Sequence, residues 1–256
     1  MLFDSHAHLN DPQFSDDLTE VLVRAKENGV RKIAVVGFDW ESSKKAVELA
    51  GANQELYAVV GVHPHDAEGF CSETEESLRS WAKEEKVVAI GEIGLDYYRD
   101  LSPRDIQQIV FRRQLALAYE LDLPISIHSR DAMEDLIQIL KEEKKGEYRG
   151  ILHCYSGSYE QAQILLRLGF HISFAGPLTF PNAKKLPEIA AKIPLDRILI
   201  ETDCPYLSPQ PRRGKRNEPA NVRFVAEKIA EIRGITAEEV AAATYDNACH
   251  VFGITR

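Results

Sequence analysis

The sequence of 256 residues predicts a (β/α)8 barrel with an additional C-terminal helix. Three observations carry that expectation. Short apolar, β-branched runs alternate with longer stretches of helical period from end to end. The runs number eight, the count that closes a parallel barrel. Histidines and carboxylates recur at the C-terminal ends of those runs, the face on which barrels build active sites.

The strands are expected at Leu2 to His8, Lys32 to Gly37, Tyr57 to Val62, Val87 to Gly94, Pro124 to Ser129, Gly150 to Tyr155, Phe170 to Ala175 and Arg197 to Asp203. A helical stretch follows each, with apolar residues three and four apart, as in Leu18, Val21, Leu22 and Ala25 or Ile106, Ile109, Val110, Leu117, Ala118 and Leu121. Ser102-Pro103 opens the fourth helix, and Gly29 and Gly169 close the first and sixth. Connections read as short throughout, and no segment has the composition of a linker, so residues 1–256 are expected to form one domain, with the extra helix at Ala237 to Val251. An open doubly wound sheet would show the same alternation. Its GxGxxG fingerprint is missing, as is a GxxxxGK[ST] loop, so no nucleotide cofactor is expected.

Composition narrows the class. With 44% hydrophobic and 28% charged residues, the chain can bury a sizeable core. Its formal net charge of -9 excludes a broadly basic nucleic-acid coat protein, so a polyanionic substrate would need a local basic patch. The start, Met1-Leu2-Phe3-Asp4-Ser5-His6, lacks the apolar core of a signal peptide, and no apolar run has membrane-spanning length, so a cytoplasmic protein without a membrane partner is expected. Cys71, Cys154, Cys204 and Cys249 form no CxxC pair, as suits reduced thiols.

Six of the eight histidines lie at the expected strand ends. His6 and His8 sit at the end of the first, His63 and His65 just after the third, His128 on the fifth and His153 on the sixth; Glu92 lies on the fourth and Asp203 on the eighth. Residues i and i+2 of a strand point the same way, so His6 and His8 can face one ion. His6, His8, Glu92, His128, His153 and Asp203 exceed what one tetrahedral ion requires, which points to two divalent ions, Mg, Mn or Zn, bridged by a carboxylate, with Glu92 as the bridge. A lone buried histidine is ordinarily a hydrogen-bonded core residue, and His171 and His250 are assigned that role. His63 and His65 stay open among phosphate binding, proton relay and ligation, and are counted with the substrate-binding residues.

The chain resembles the TatD family of metal-dependent hydrolases, within the amidohydrolase-like barrels. The resemblance rests on Asp4-Ser5-His6-Ala7-His8-Leu9, Gly61-Val62-His63-Pro64-His65, Gly91-Glu92-Ile93-Gly94-Leu95-Asp96-Tyr97, Ile127-His128-Ser129-Arg130, His153-Cys154-Tyr155-Ser156-Gly157 and Glu201-Thr202-Asp203-Cys204-Pro205-Tyr206-Leu207. It implies a deoxyribonuclease-like hydrolase with metal ligands at His6, His8, Glu92, His128, His153 and Asp203, and no carboxylated lysine, because Glu92 stands at the bridging position.

The run Arg212-Arg213-Gly214-Lys215-Arg216 follows the eighth strand, and Arg130 follows His128 by two, so phosphate binding is expected of Arg130, Arg212, Arg213, Lys215 and Arg216. Tyr97, Tyr98, Tyr155, Phe180 and Tyr206 follow strand ends, where rings either stack on bases or pack under loops. The expected function is cleavage of DNA phosphodiesters by Glu92, Asp203 and the metals, at strand ends or on single strands. The alternative is hydrolysis of a small amide, lactone or phosphoester. Nothing in the sequence demands an oligomer.

Overall fold

A computed structural model describes residues 1–255. The strands β1 (Leu2–Ala7), β2 (Val30–Val36), β3 (Leu56–Val60), β4 (Val87–Asp96), β5 (Ile125–Arg130), β6 (Gly150–Leu152), β7 (Phe170–Phe174) and β8 (Ile198–Ile200) pair in parallel, each with the next in sequence. Between them run α1 (Leu18–Glu27), α2 (Trp40–Ala52), α3 (Ser72–Trp81), α4 (Arg104–Glu120), α5 (Met133–Glu142), α6 (Tyr159–Arg167) and α7 (Lys185–Lys192), with α8 (Val222–Arg233) and α9 (Ala237–Phe252) after β8. This is the expected barrel with its extra helix. No helix among the described residues is long and apolar enough to cross a membrane.

The ends of the cylinder meet through side chains and backbone together. Ser5 Oγ donates to the Ile200 carbonyl at 3.0 Å, and Asp4 accepts from the Thr202 amide at 2.9 Å and the Thr202 hydroxyl at 2.5 Å. The amide of Asp203 donates to the His6 carbonyl at 2.9 Å. Burial pushes the Asp4 carboxyl up to about 8, an effect the Thr202 hydrogen bonds only partly offset.

Two apolar layers result. The outer helices pack on the barrel wall. Inside it, Phe3, Ala34, Val36, Val59, Ile151 and Leu199 form a second cluster with Tyr245, Ala248, Cys249, Val251 and Phe252 of α9. Phe3 lies 5.7 Å from Phe252 and 6.1 Å from Tyr245, between ring centroids, so α9 seals the N-terminal end. The opposite face is left for chemistry.

Three expectations change in detail. The sixth and eighth strands stop at Leu152 and Ile200, and beyond them the left-handed residues Cys154 (φ 41°) and Asp203 (φ 56°) keep an extended strand from running on to Tyr155 or through Asp203. The connection after β8 is long, not short: residues 201–221 separate it from α8, and Pro205, Pro209, Pro211 and Pro219 keep a helix from starting sooner. Of the two histidines assigned to the core, His171 is buried on β7, whereas His250 is exposed near the end of α9.

Burial pushes His171 down to about 4, with Arg197 and His250 adding to the effect. Between that value and the ordinary 6.5, the native state binds fewer protons than the unfolded chain, so stability falls as pH drops through this window. The full penalty is on the order of 3 kcal/mol. Urea unfolding at pH 7.5 and 5.0 should therefore show a smaller loss for His171→Gln than for the wild type; equal losses would place the acid sensitivity elsewhere.

Candidate metal centre

The C-terminal mouth is built from strand irregularities. Pairing shifts register between Asp4 and Ala7 on β1, and between Ile90 and Ile93 on β4, bracketing His6 and Glu92 respectively. Such shifts re-aim side chains. Gly94 (φ +142°) lets β4 pass the His128 backbone: a Cβ there would lie 2.0 Å from the His128 carbonyl oxygen.

Glu92, 4% exposed, stands at the centre. Its Oε2 lies 3.5 Å from His6 Nε2 and 3.8 Å from His8 Nε2; its Oε1 lies 3.0 Å from His128 Nδ1 and 2.9 Å from His153 Nε2. Asp203 Oδ1 closes the first lobe, 3.3 Å from His8 Nε2 and 3.8 Å from His6 Nε2. His6 and His8 bring their Nε2 atoms to 3.2 Å, a separation useful only if at least one nitrogen offers a lone pair. A cation with bonds of about 2.1 Å holds tetrahedral ligands about 3.4 Å apart, so the donor spacing of this cluster suits divalent ions. The donors converge in three overlapping groups: His6, His8 and Asp203; His63, Glu92 and His128; and His6, His153 and Glu201.

The charges are mutually supporting. Burial alone would raise the carboxyl of Glu92, but His153, His63, His6 and His128 outweigh it and hold the group well below the ordinary range. Asp203 is likewise lowered against the effect of its burial, chiefly by the hydrogen bond from His8. Burial would lower His153, yet Glu92 and Glu201 hold it well above 6.5. His128 is raised by Asp96 and Glu92 against burial, whereas burial lowers His6 and takes His63 well below 6.5.

Two carboxylates missing from the sequence-derived ligand set hold these rings. Glu201, fully buried, accepts from His153 Nδ1 at 3.1 Å and from the Cys154 amide at 2.7 Å. Asp96 Oδ2 accepts from His128 Nε2 at 3.1 Å and His65 Nε2 at 2.9 Å, while its Oδ1 receives the amides of Tyr98 and Arg99. Both lie inside motifs already singled out; the available signal was an acidic residue at a strand end without a role. His65 is thereby turned toward Asp96. His63, N-capping the 3-10 turn Pro64–Gly69, points inward, its Nε2 3.6 Å from Glu92 Oε1.

The cations around the mouth divide. Arg130 stacks on Tyr98 at 3.9 Å and Arg213 on Phe180 at 4.1 Å, and Arg212 and Lys215 are exposed. Arg216 is engaged elsewhere: it pairs with Asp17 at 2.6 Å, packs over Phe14 and donates to the Gln13 carbonyl. Among the aromatic residues, Tyr98 is 61% and Tyr206 50% exposed, Tyr97 donates to Asp135, and Tyr155 is buried under its own loop, donating to the Ser158 carbonyl.

A parallel barrel whose strand ends converge imidazoles around a buried carboxylate defines the class of metal-dependent hydrolase barrels. Residues 3–253 match the family model described as TatD related DNase, and the chain belongs to the TatD family. It is 54% identical to the uncharacterized metal-dependent hydrolase YabD of Bacillus subtilis, across 99% of this chain and 100% of that protein. It is 36% identical to the 3'-5' ssDNA/RNA exonuclease TatD of Erwinia amylovora, with 99% and 100% covered. The crystal structure of the TatD homologue YjjV from Escherichia coli superposes with a TM-score of 0.94 at 35% identity, covering 99% of this chain and 98% of that one.

Metal-free protein titrated with Zn or Mn should gain thermal stability, by about 2.7 kcal/mol per site at a hundredfold excess over Kd. His128→Ala and His153→Ala should each lose much of that gain, and Arg130→Ala should keep it. A wild type whose melting temperature ignores both metals would mean that the converging donors hold no ion.

Proposed function

We propose that the protein hydrolyses phosphodiester bonds of DNA, removing nucleotides from an end or from single strands, with two divalent ions held on either side of Glu92. The observation that carries this reading is the division of labour at that carboxylate: one oxygen faces His6 and His8, the other His128 and His153, as a bridge between two sites requires. Ions bound there supply an activated water near neutral pH and neutralise phosphoryl charge. Asp203, at the edge of the first lobe, orients the attacking water and takes its proton. The name of the Erwinia relative supports a nucleic-acid substrate.

Arg130, Arg212, Arg213 and Lys215 hold the phosphates of the strand, and Tyr98 offers a face to a base. Arg216, tied to Asp17, secures the loop instead. This localised positive charge reconciles a polyanionic substrate with a chain of net charge -9.

A nuclease assay on end-labelled single and double strands, across Mg, Mn and Zn, tests the reading. Glu92→Gln keeps the shape but removes the charge between the two lobes, and turnover should fall by orders of magnitude. Near wild-type turnover with unchanged metal content would remove Glu92 from the bridge.

Changing Arg212, Arg213 and Lys215 together to Gln should raise KM for oligonucleotides and flatten its salt dependence, by about 0.7 to 0.9 in slope per lost phosphate contact. Cleavage of a small model diester should change little. An unchanged KM and salt slope would favour a small-molecule substrate.

A further inference from the structure

The partners of the histidine rings determine what each presents to the centre. His8 Nδ1 donates to the Val36 carbonyl at 2.9 Å, so Nε2, which shares its proton with Asp203, is the atom that offers a lone pair inward once an ion takes that proton's place. With its Nδ1–H held by Glu201, His153 presents Nε2; with its Nε2–H held by Asp96, His128 presents Nδ1. All three are thus set as ligands.

His63 is set the other way. Its Nδ1 accepts the backbone N–H of His65 at 3.1 Å, so that nitrogen carries no proton. A neutral imidazole has one N–H, which must then be on Nε2, the atom directed inward. An N–H cannot ligate a metal. Its nearest carboxylate oxygen, Glu92 Oε1, is 3.6 Å away, beyond hydrogen-bond length, and already faces His128 and His153. The donor is therefore aimed at the centre with its hydrogen unspent, on a ring fixed by a proline-started turn and buried to 7% exposure.

We propose that His63 is a catalytic hydrogen-bond donor and not a metal ligand: a neutral imidazole whose Nε2–H meets an oxygen of the substrate as negative charge develops on it. It rests on the hydrolase reading above only for the identity of that oxygen, a phosphoryl oxygen. The backbone amide of His65 acts as the positioning group, because it selects the tautomer. A donor held rigidly in a site shielded from water contributes most where charge builds in the transition state, so its loss should appear in kcat more than in KM.

The test uses the zinc-loaded full chain. His63→Ala should bind as much zinc as the wild type while kcat on an oligonucleotide falls about 100-fold with little change in KM. His63→Gln, whose amide N–H reaches the place of Nε2, should recover part of the loss. Nitrogen-15 spectra of the histidine rings should show His63 protonated at Nε2 and not at Nδ1 with zinc bound. Loss of an ion in His63→Ala, a zinc-coordinated Nε2, or an unchanged kcat would each overturn the proposal. If the wild type cleaves neither nucleic acid nor bis(p-nitrophenyl) phosphate, the proposed function fails, and zinc content with the ring spectra still decides the role of His63.

Discussion

A carboxylate removed from water has to be met by positive charge or by hydrogen bonds, and Glu92 is removed almost entirely. Five imidazoles answer it, from β1, β5 and the segments just after β1, β3 and β6. In a flat sheet, β1 would stand three strands from β4, about 14 Å at the usual spacing. Only a closed cylinder turns the ends of all these strands toward one point. The fold and the site are in this sense one problem, and the irregular pairing at β1 and β4 is its local solution: regular ladders would aim His6 and Glu92 along the pleat.

The second requirement is that the cylinder stay closed beside the metal lobe. The His6 carbonyl receives the Asp203 amide, so the backbone that presents one prospective ligand also anchors another. Asp4 and Ser5, immediately before His6, fasten to Thr202 and Ile200 across the same gap. Farther out, Arg216 on Asp17 and Glu218 on Arg24 tie the loop after β8 to both the first and the last turn of α1. These outer pairs are partly exposed and individually weak. Together they hold the cationic segment against the rim.

Much of this was legible in the sequence, for identifiable reasons. The alternation of runs reports burial, and burial gave the strand count and the sealing helix. The i, i+2 pair His6 and His8 reports one face of a strand. Strand ends were legible only where apolar character stops: Cys154 and Asp203 turn the chain into a left-handed conformation inside the expected strands, which hydrophobic pattern does not encode. Glu201 and Asp96 stood in plain view within their motifs, yet their service to His153, His128 and His65 depends on contacts between different strands. Arg216 read as one more cation of a basic run because its partner, Asp17, lies 199 positions away.

The seam also sets an order of assembly. Its bonds join residues 195 and 198 positions apart, whereas every other strand pairs with its neighbour in sequence. Contacts of such long range bear the largest loop-closure entropy and form late. On a ribosome, β1 is made before β8 and must wait for it, and α9, which floors the interior, is made later still. His6 and His8 stand on one side of that seam and Asp203 on the other. The first lobe therefore has no complete donor set until the first and last strands of the barrel meet, and competence to hold an ion there follows closure of the cylinder instead of guiding it.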